Sequence, residues 1–165
     1  TLSHAADGRR LANAMRTVTL IGSPGAGPLR HARDFGIGEE NVFVASSSRD
    51  RTTGLGGDRP GDLGRLVRRV GQGIDPAMDS FGARRIRAEF PAALDHLGRG
   101  SRMTHSLYWA FMDPGTLQVR SESLVNFGRI GAGHTDRVDV EGHRRLGERQ
   151  RLFRKPGQGT IDPAI

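Results

Sequence analysis

The chain has 165 residues, a formal net charge of +7 and no cysteine. This length fits one domain with its own core, and the lack of cysteine excludes disulfides and thiolate chemistry. No run of ~18 apolar residues occurs that would span a membrane. Because arginines are scattered among 18 acidic residues, with only one Trp and one Tyr, we expect no specific nucleic-acid partner.

The first part of the chain predicts a strand–helix–strand unit. A helix over Leu2–Met15 leads into a strand over Thr17–Gly22, and a short helix over Leu29–Phe35 follows. A second, buried strand begins at Asn41, where Val, Phe, Val and Ala come in succession. Two strands joined by a helix within such a short stretch favour parallel pairing. The predicted fold class is therefore α/β, with parallel strands flanked by helices.

Periodicity is weaker further along the chain. Arg84–Phe90 alternates apolar residues with Arg85, Arg87 and Glu89, which predicts a third strand. Ser121 is a suitable N-cap for a helix through Leu124, Phe127 and Ile130. Gly133 is followed by a highly charged stretch. We therefore divide the chain into an α/β domain over residues 1–133 and a charged C-terminal extension and tail over residues 134–165.

Two common binding motifs are absent. Gly22 and Gly27 are spaced as in a phosphate-binding loop, but Pro28 and Leu29 stand where Lys and Ser or Thr are required. Pro also removes a backbone donor. The six histidines lack the spacing of a zinc site. We expect neither a nucleotide, nor another cofactor, nor a metal.

Asp50 and His105 are the candidate catalytic residues. Asp50 comes just past the buried strand, and His105 follows a later strand. In open α/β sheets, functional groups collect at the carboxyl ends of the strands. In α/β-hydrolases the triad runs Ser, Asp or Glu, then His, and the acid orients the imidazole that takes the proton from Ser. The alternative for each residue is structural. An Asp just after a strand typically caps a turn through its side-chain oxygen. A His beside Tyr108 and Trp109 is typically a histidine packed in a loop.

Five stretches together carry a resemblance to a known family. They are GSPGAG after TVTLI, VFVASSSRD, GIDPAMDSFGARRI, THSLYW and SESLVNFGRI, in this order. This set resembles an α/β-hydrolase domain family of uncharacterised proteins found mainly in actinobacteria, over about Leu2 to Gly133. The resemblance implies Asp50 as triad acid and His105 as triad base. It also implies that Leu2–Met15 is the helix that follows a nucleophile elbow.

The chain departs from this family at one decisive point. No GxSxG occurs in it, so the residues are similar to the C-terminal portion of the hydrolase domain, cut just after the elbow. The oxyanion-hole donors would be lost with the elbow. Thr1 or Ser3 is an alternative nucleophile, since an N-terminal Thr can be activated by its own amine. Only the position of these residues in the sequence supports that alternative. We expect the chain alone to be inactive.

Two functions remain open at this point. The first is a serine-hydrolase-like portion of esterase, lipase or amidase type, whose partners are a small ester or amide substrate and the missing N-terminal half or a partner chain. The second is a non-catalytic interaction module or toxin-associated scaffold, because a sheet cut after the elbow would expose an edge. Family resemblance implies a longer bacterial protein, cytoplasmic or secreted, sometimes of toxin-like organisation.

Overall fold

The computed structural model describes residues 14–48, 50–55, 73–89, 108–109 and 122–144. These residues contain three strands, namely β1 (Val18–Ile21), β2 (Val42–Ala45) and β3 (Arg84–Ile86). The strands form one sheet in the order β1-β2-β3, and both pairings are parallel. The predicted parallel strands are therefore confirmed. The predicted helix over Leu2–Met15 lies outside the described residues, apart from its last two positions.

The described residues also contain the α-helix that we call α1 and several short 3-10 helices. Helix α1 spans Glu122–Gly131, close to the prediction made from Ser121. The connection between β1 and β2 contains 3-10 helices over Ala32–Phe35 and Glu39–Asn41 instead of the expected helix over Leu29–Phe35. Further 3-10 helices span Arg51–Gly54, Asp79–Phe81 and Thr135–Arg137.

Strand β2 is central, and its side chains supply the core on both faces of the sheet. Val42 and Val44 pack with Phe35, Ile74 and Phe81 on one face. On the opposite face, Phe43 and Ala45 pack in a second cluster, whose other buried members are Ile86, Ala88, Tyr108, Ile130 and Val138. Full burial of one such Val or Phe side chain stabilises the fold by about 1.5–3 kcal/mol. A continuous apolar run is the expected pattern for a parallel strand covered on both faces.

The glycine-rich loop after β1 is a backbone turn. Gly22 donates to the carbonyl of Ala45 (3.0 Å), and Ala26 donates to the carbonyl of Ile74 (2.8 Å). Gly27 and Gly73 both have positive φ, and a Cβ at Gly73 would overlap the carbonyl oxygen of Gly27. The close approach explains the glycine at position 73, whereas at Gly27, where a Cβ would contact nothing, the positive φ alone favours glycine.

Residues beyond 133 pack against the end of β3. Val140 forms an antiparallel bridge with Ile86, and Arg144 forms a parallel bridge with Met78. Asp139 and Arg87 are joined by a backbone hydrogen bond of 2.9 Å. The domain boundary that we place after residue 133 stays a prediction, but Val138 belongs to the core cluster on one face of the sheet, and Arg144 is buried as well.

One part of the predicted β3 pattern is wrong. Arg85 was expected on a polar face of the strand, yet it is only 4% exposed. Its guanidinium donates to the carbonyl of Ser46 (2.9 Å) and pairs with Glu141 (3.2 Å). The alternation misled because residue 85 meets the segment around Glu141 instead of solvent. The ladder of β3 also ends at Ile86, before the predicted end, and Phe90 lies outside the described residues.

Candidate functional site

The polar residues at the carboxyl ends of β2 and β3 form the candidate site. We call Ser46–Thr53 the acid turn, because it follows β2 and carries Asp50. Ser46, Ser47, Asp50 and Thr53 are each no more than 1% exposed. Buried polar side chains are almost always hydrogen-bonded, so the partners of these four residues show which contacts fix the conformation of the acid turn.

Asp50 is a buried N-cap. Its carboxylate oxygen Oδ1 accepts from the backbone N–H of Thr52 (2.9 Å), at the start of the 3-10 helix over Arg51–Gly54. Its backbone carbonyl accepts from the Thr53 hydroxyl (2.8 Å). The capping role considered from the sequence is therefore present. It leaves the catalytic role open, since an ionised carboxylate has about four acceptor positions.

Tyr108 connects a second stretch of chain to the acid turn. Its hydroxyl accepts from the backbone N–H of Ser47 (2.8 Å) and is hydrogen-bonded to the Asp50 side chain. Burial raises the pKa of Tyr108 far above its usual range, and the negative charge of Asp50 raises it further. The phenol therefore stays neutral, and its O–H group can donate a hydrogen bond to the Asp50 carboxylate.

Glu89 provides a second carboxylate at this end of the sheet. It lies just past β3 and accepts three hydrogen bonds from the acid turn. Ser48 donates its backbone N–H (2.6 Å), and the hydroxyls of Ser47 and Ser48 both donate to the other carboxylate oxygen (3.1 Å each). Charged acceptors make the stronger hydrogen bonds, so Glu89 ties the end of β3 to the turn after β2.

Arg144 approaches the acid turn from the opposite end of the sequence. Its side chain is fully buried and pairs with the equally buried Asp75 (3.0 Å). Its guanidinium also donates to the carbonyl of Thr53 (2.9 Å), the hydroxyl of Thr53 (2.8 Å), the carbonyl of Ser47 (3.3 Å) and the hydroxyl of Ser46. A planar fork of donors suits this arrangement better than an ammonium would.

Helix α1 holds the segment that carries Tyr108. The Ser123 hydroxyl donates to the carbonyl of Tyr108 (3.0 Å). Asn126, one turn along, donates to the carbonyl of Arg87 (3.1 Å) and accepts from the backbone of Asp139 (3.0 Å). The helix therefore presents Ser123 and Asn126, together with Ile130, as its buried residues. The sequence had predicted Leu124 and Phe127 there beside Ile130, but these two are only partly buried.

The two predicted site residues stand differently in the structure. Asp50 lies at the carboxyl end of β2, as expected from its place after the buried strand. His105 lies outside the described residues, so its distance from Asp50 stays a prediction. Its neighbours Tyr108 and Trp109 are described: Tyr108 is buried, and Trp109 is 51% exposed with its ring 5.2 Å from that of Phe127.

Sequence reasoning missed Glu89, Arg144 and Asp75. Glu89 was assigned only to the polar side of β3, and Arg144 to the charged extension. A signal existed for Asp75, because Asp-Pro suggests a turn, and its carboxylate does accept from the backbone N–H of Ala77 (2.9 Å). No local pattern indicates that Arg144 would reach it, since 69 positions separate the two residues.

Among the described residues, no group of three or more His, Asp or Glu side chains could hold a metal ion. In the same part of the chain, no helix is both long and apolar enough to cross a bilayer.

Comparison with known proteins gives relatives without an assigned activity. The chain is 31% identical over 134 residues to the uncharacterised proteins MT2140 and Rv2079, from two strains of Mycobacterium tuberculosis. The match covers 74% of this chain but only 18% of each relative, so the chain spans less than a fifth of their length. No protein-family model and no solved structure matches the chain.

Proposed function

We propose that this chain is the C-terminal portion of an α/β-hydrolase-like domain that cleaves ester or amide bonds. Asp50 would be the triad acid and His105 the triad base, as the resemblance of the five sequence stretches implies. The nucleophile would lie on a segment preceding Thr1 in a longer protein. The substrate would be a small ester or amide, and its identity depends on pocket residues that vary freely on such folds.

The contact between Tyr108 and Asp50 is the observation that carries this proposal. Tyr108 stands three positions after His105, and its hydroxyl is hydrogen-bonded to the Asp50 carboxylate. Three residues of fully extended chain span at most about 11 Å. The backbone of His105 is therefore tethered to a residue that touches the proposed acid. This tether supports the proposal, because a triad requires the chain around His105 to come near Asp50 and a simple turn cap does not.

The proposed chemistry follows from these placements. Asp50 would accept a hydrogen bond from one ring nitrogen of His105 and so hold the imidazole in one tautomer. The other ring nitrogen would take the hydroxyl proton of the upstream serine as its oxygen attacks the substrate carbonyl carbon. The same proton would then pass to the leaving alcohol or amine, and water would release the acyl group by the reverse transfer.

The burial of Asp50 suits this role. A carboxylate away from solvent interacts more strongly with a nearby imidazolium than an exposed one does. Tyr108 and the Thr52 amide occupy part of its acceptor capacity and fix its orientation, since each donates to the carboxylate. Such preorganisation is what an orienting acid needs.

The test is hydrolysis of short acyl esters by the longer protein that includes the preceding segment. We expect activity there and none from the 165-residue chain alone. In the longer protein, His105→Ala should lower kcat by several orders of magnitude and Asp50→Asn by up to about 10⁴-fold. Arg137→Gln, a change at an exposed position, is the matched control.

Two results would reject the proposal. One is hydrolysis by the longer protein that survives His105→Ala. The other is an inactive longer protein with an intact elbow serine, which would favour a non-catalytic interaction module built on the same fold.

A further inference from the structure

Arg144 has more polar contacts with the acid turn than the neutralisation of one carboxylate requires. Its ion pair with Asp75 already compensates the buried positive charge, and both side chains are fully buried. Removal of a guanidinium from water is costly, so a structural arginine needs such a partner. The four additional hydrogen bonds to Ser46, Ser47 and Thr53 remain to be explained.

These additional partners flank Asp50 on both sides. Ser46 and Ser47 lead from β2 into the acid turn, and Thr53 lies in the 3-10 helix that Asp50 caps. The guanidinium therefore bridges the incoming and outgoing limbs of the turn. Thr53 continues the connection, because its hydroxyl accepts from Arg144 (2.8 Å) and donates to the backbone carbonyl of Asp50 (2.8 Å).

We propose that Arg144 is a positioning residue for Asp50, acting through Thr53 and the two serines. The catalytic importance of this role rests on the proposed hydrolase function, but the positioning itself does not. Arginine suits it because five donors in one rigid plane can hold a carboxylate and several backbone or hydroxyl oxygens together. A segment that lies outside the family resemblance would thus complete the support of the proposed acid.

The experiment separates this role from the ion pair by changing Thr53. Thr53→Val removes the hydroxyl between Arg144 and Asp50 while leaving the Arg144–Asp75 pair intact, and Thr53→Ser restores the hydroxyl. In the full chain, amide hydrogen exchange would be measured by NMR at Thr52, which donates to Asp50, and at Val44 in β2 as reference. We expect at least tenfold faster exchange at Thr52 in Thr53→Val, unchanged exchange at Val44, and recovery in Thr53→Ser.

Arg144→Lys provides a second variant. The ammonium can still pair with Asp75, but it cannot bridge both limbs of the acid turn. We expect the same selective acceleration at Thr52, with Val44 still protected. If either variant fails to fold, the other decides the question. Equal exchange at Thr52 in Thr53→Val, Thr53→Ser and the unmodified chain would overturn the proposal.

Kinetics of the longer protein give the second readout. If it hydrolyses esters, Thr53→Val should lower kcat about tenfold with KM within twofold, because a misplaced acid affects the chemical step and not substrate binding. Arg137→Gln should leave both constants unchanged. An unchanged kcat in Thr53→Val would overturn the catalytic importance of this positioning. If the unmodified longer protein is inactive, the hydrolase function fails, and hydrogen exchange alone decides whether Arg144 positions Asp50.

Discussion

The contact of Tyr108 with Asp50 predicts a specific pH dependence of stability. In the folded chain, burial and the Asp50 charge raise the pKa of Tyr108 far above the ordinary value of 10.0. Its neutral form is therefore favoured by folding. The contribution of the neutral Tyr108 to the free energy of unfolding is fully present below pH 10, where the unfolded phenol is also neutral. This contribution is lost as the pH rises above 10 towards the raised pKa of the folded state.

The magnitude follows from proton linkage. Above its pKa the unfolded tyrosine loses a proton that the folded one keeps, so the free energy of unfolding falls by up to about 1.4 kcal/mol per pH unit. Integrated from pH 8 to 11.5, the loss is about 2 kcal/mol. Tyr108→Phe removes the titrating group and should therefore remove this loss. At neutral pH the same variant should destabilise the fold by about 1–3 kcal/mol, because the buried Ser47 amide loses its acceptor.

The assay is urea unfolding of both proteins at several pH values, followed by fluorescence of Trp109, the chain's single tryptophan. The unfolding free energy of the unmodified protein minus that of Tyr108→Phe should fall by about 2 kcal/mol from pH 8 to 11.5. Subtraction cancels the titration of all other groups. Ser123→Ala is the control, because it removes only the hydroxyl that donates to the Tyr108 carbonyl and should give a difference independent of pH.

Parallel stability curves for the unmodified protein and Tyr108→Phe would refute this reasoning. They would mean that Tyr108 has the same proton affinity in both states and does not lie buried against a carboxylate. The principal support for the proposed triad would then be lost. Direct absorbance is a useful complement, since Tyr108 is the only tyrosine in the chain and tyrosinate should form only as the protein unfolds.

Two further predictions concern the supports of the acid turn. Asp75→Asn should lower the free energy of unfolding by about 3–5 kcal/mol in urea titrations, because it leaves the buried Arg144 charge uncompensated, whereas Asp79→Asn at a 90% exposed carboxylate should change it little. Equal effects would contradict the buried ion pair. Glu89→Gln should accelerate amide exchange at Ser48 relative to Val44, since an amide is a weaker acceptor than a carboxylate. Unchanged exchange would show that Glu89 does not hold the turn.

The sheet was accessible from the sequence because its signal is local. β2 is a short apolar run bounded by polar residues, and the strand predicted from Asn41 agrees with Val42–Ala45 to within one residue at its start. Likewise, the helix expected after Ser121 agrees with Glu122–Gly131. Both predictions depend on apolar spacing and on start and stop signals that lie within a short window of the sequence.

The supports of the candidate site were not accessible for the opposite reason. Arg144 meets Ser46 across 98 positions, and Tyr108 meets Ser47 across 61. Such pairs arise only after the sheet has formed, so no local pattern encodes them. Charge patterning even misled, because it placed Arg85 on the polar face of β3 and Arg144 in a charged extension, whereas both residues are buried and contact carbonyls and carboxylates. A buried arginine is rare enough that its sequence context seldom reveals it.

The same geometry suggests how the proposed missing segment would join the fold. Strand β1 is only half-buried along its length, and among the described residues it pairs with β2 alone. Parallel strands are normally covered on both faces, and an open edge invites another strand. A preceding strand added beside β1 would bring its own carboxyl end to the edge where Asp50 lies, since parallel strands end on the same side. The proposed nucleophile and the proposed acid would then face one cleft without any rearrangement of the acid turn.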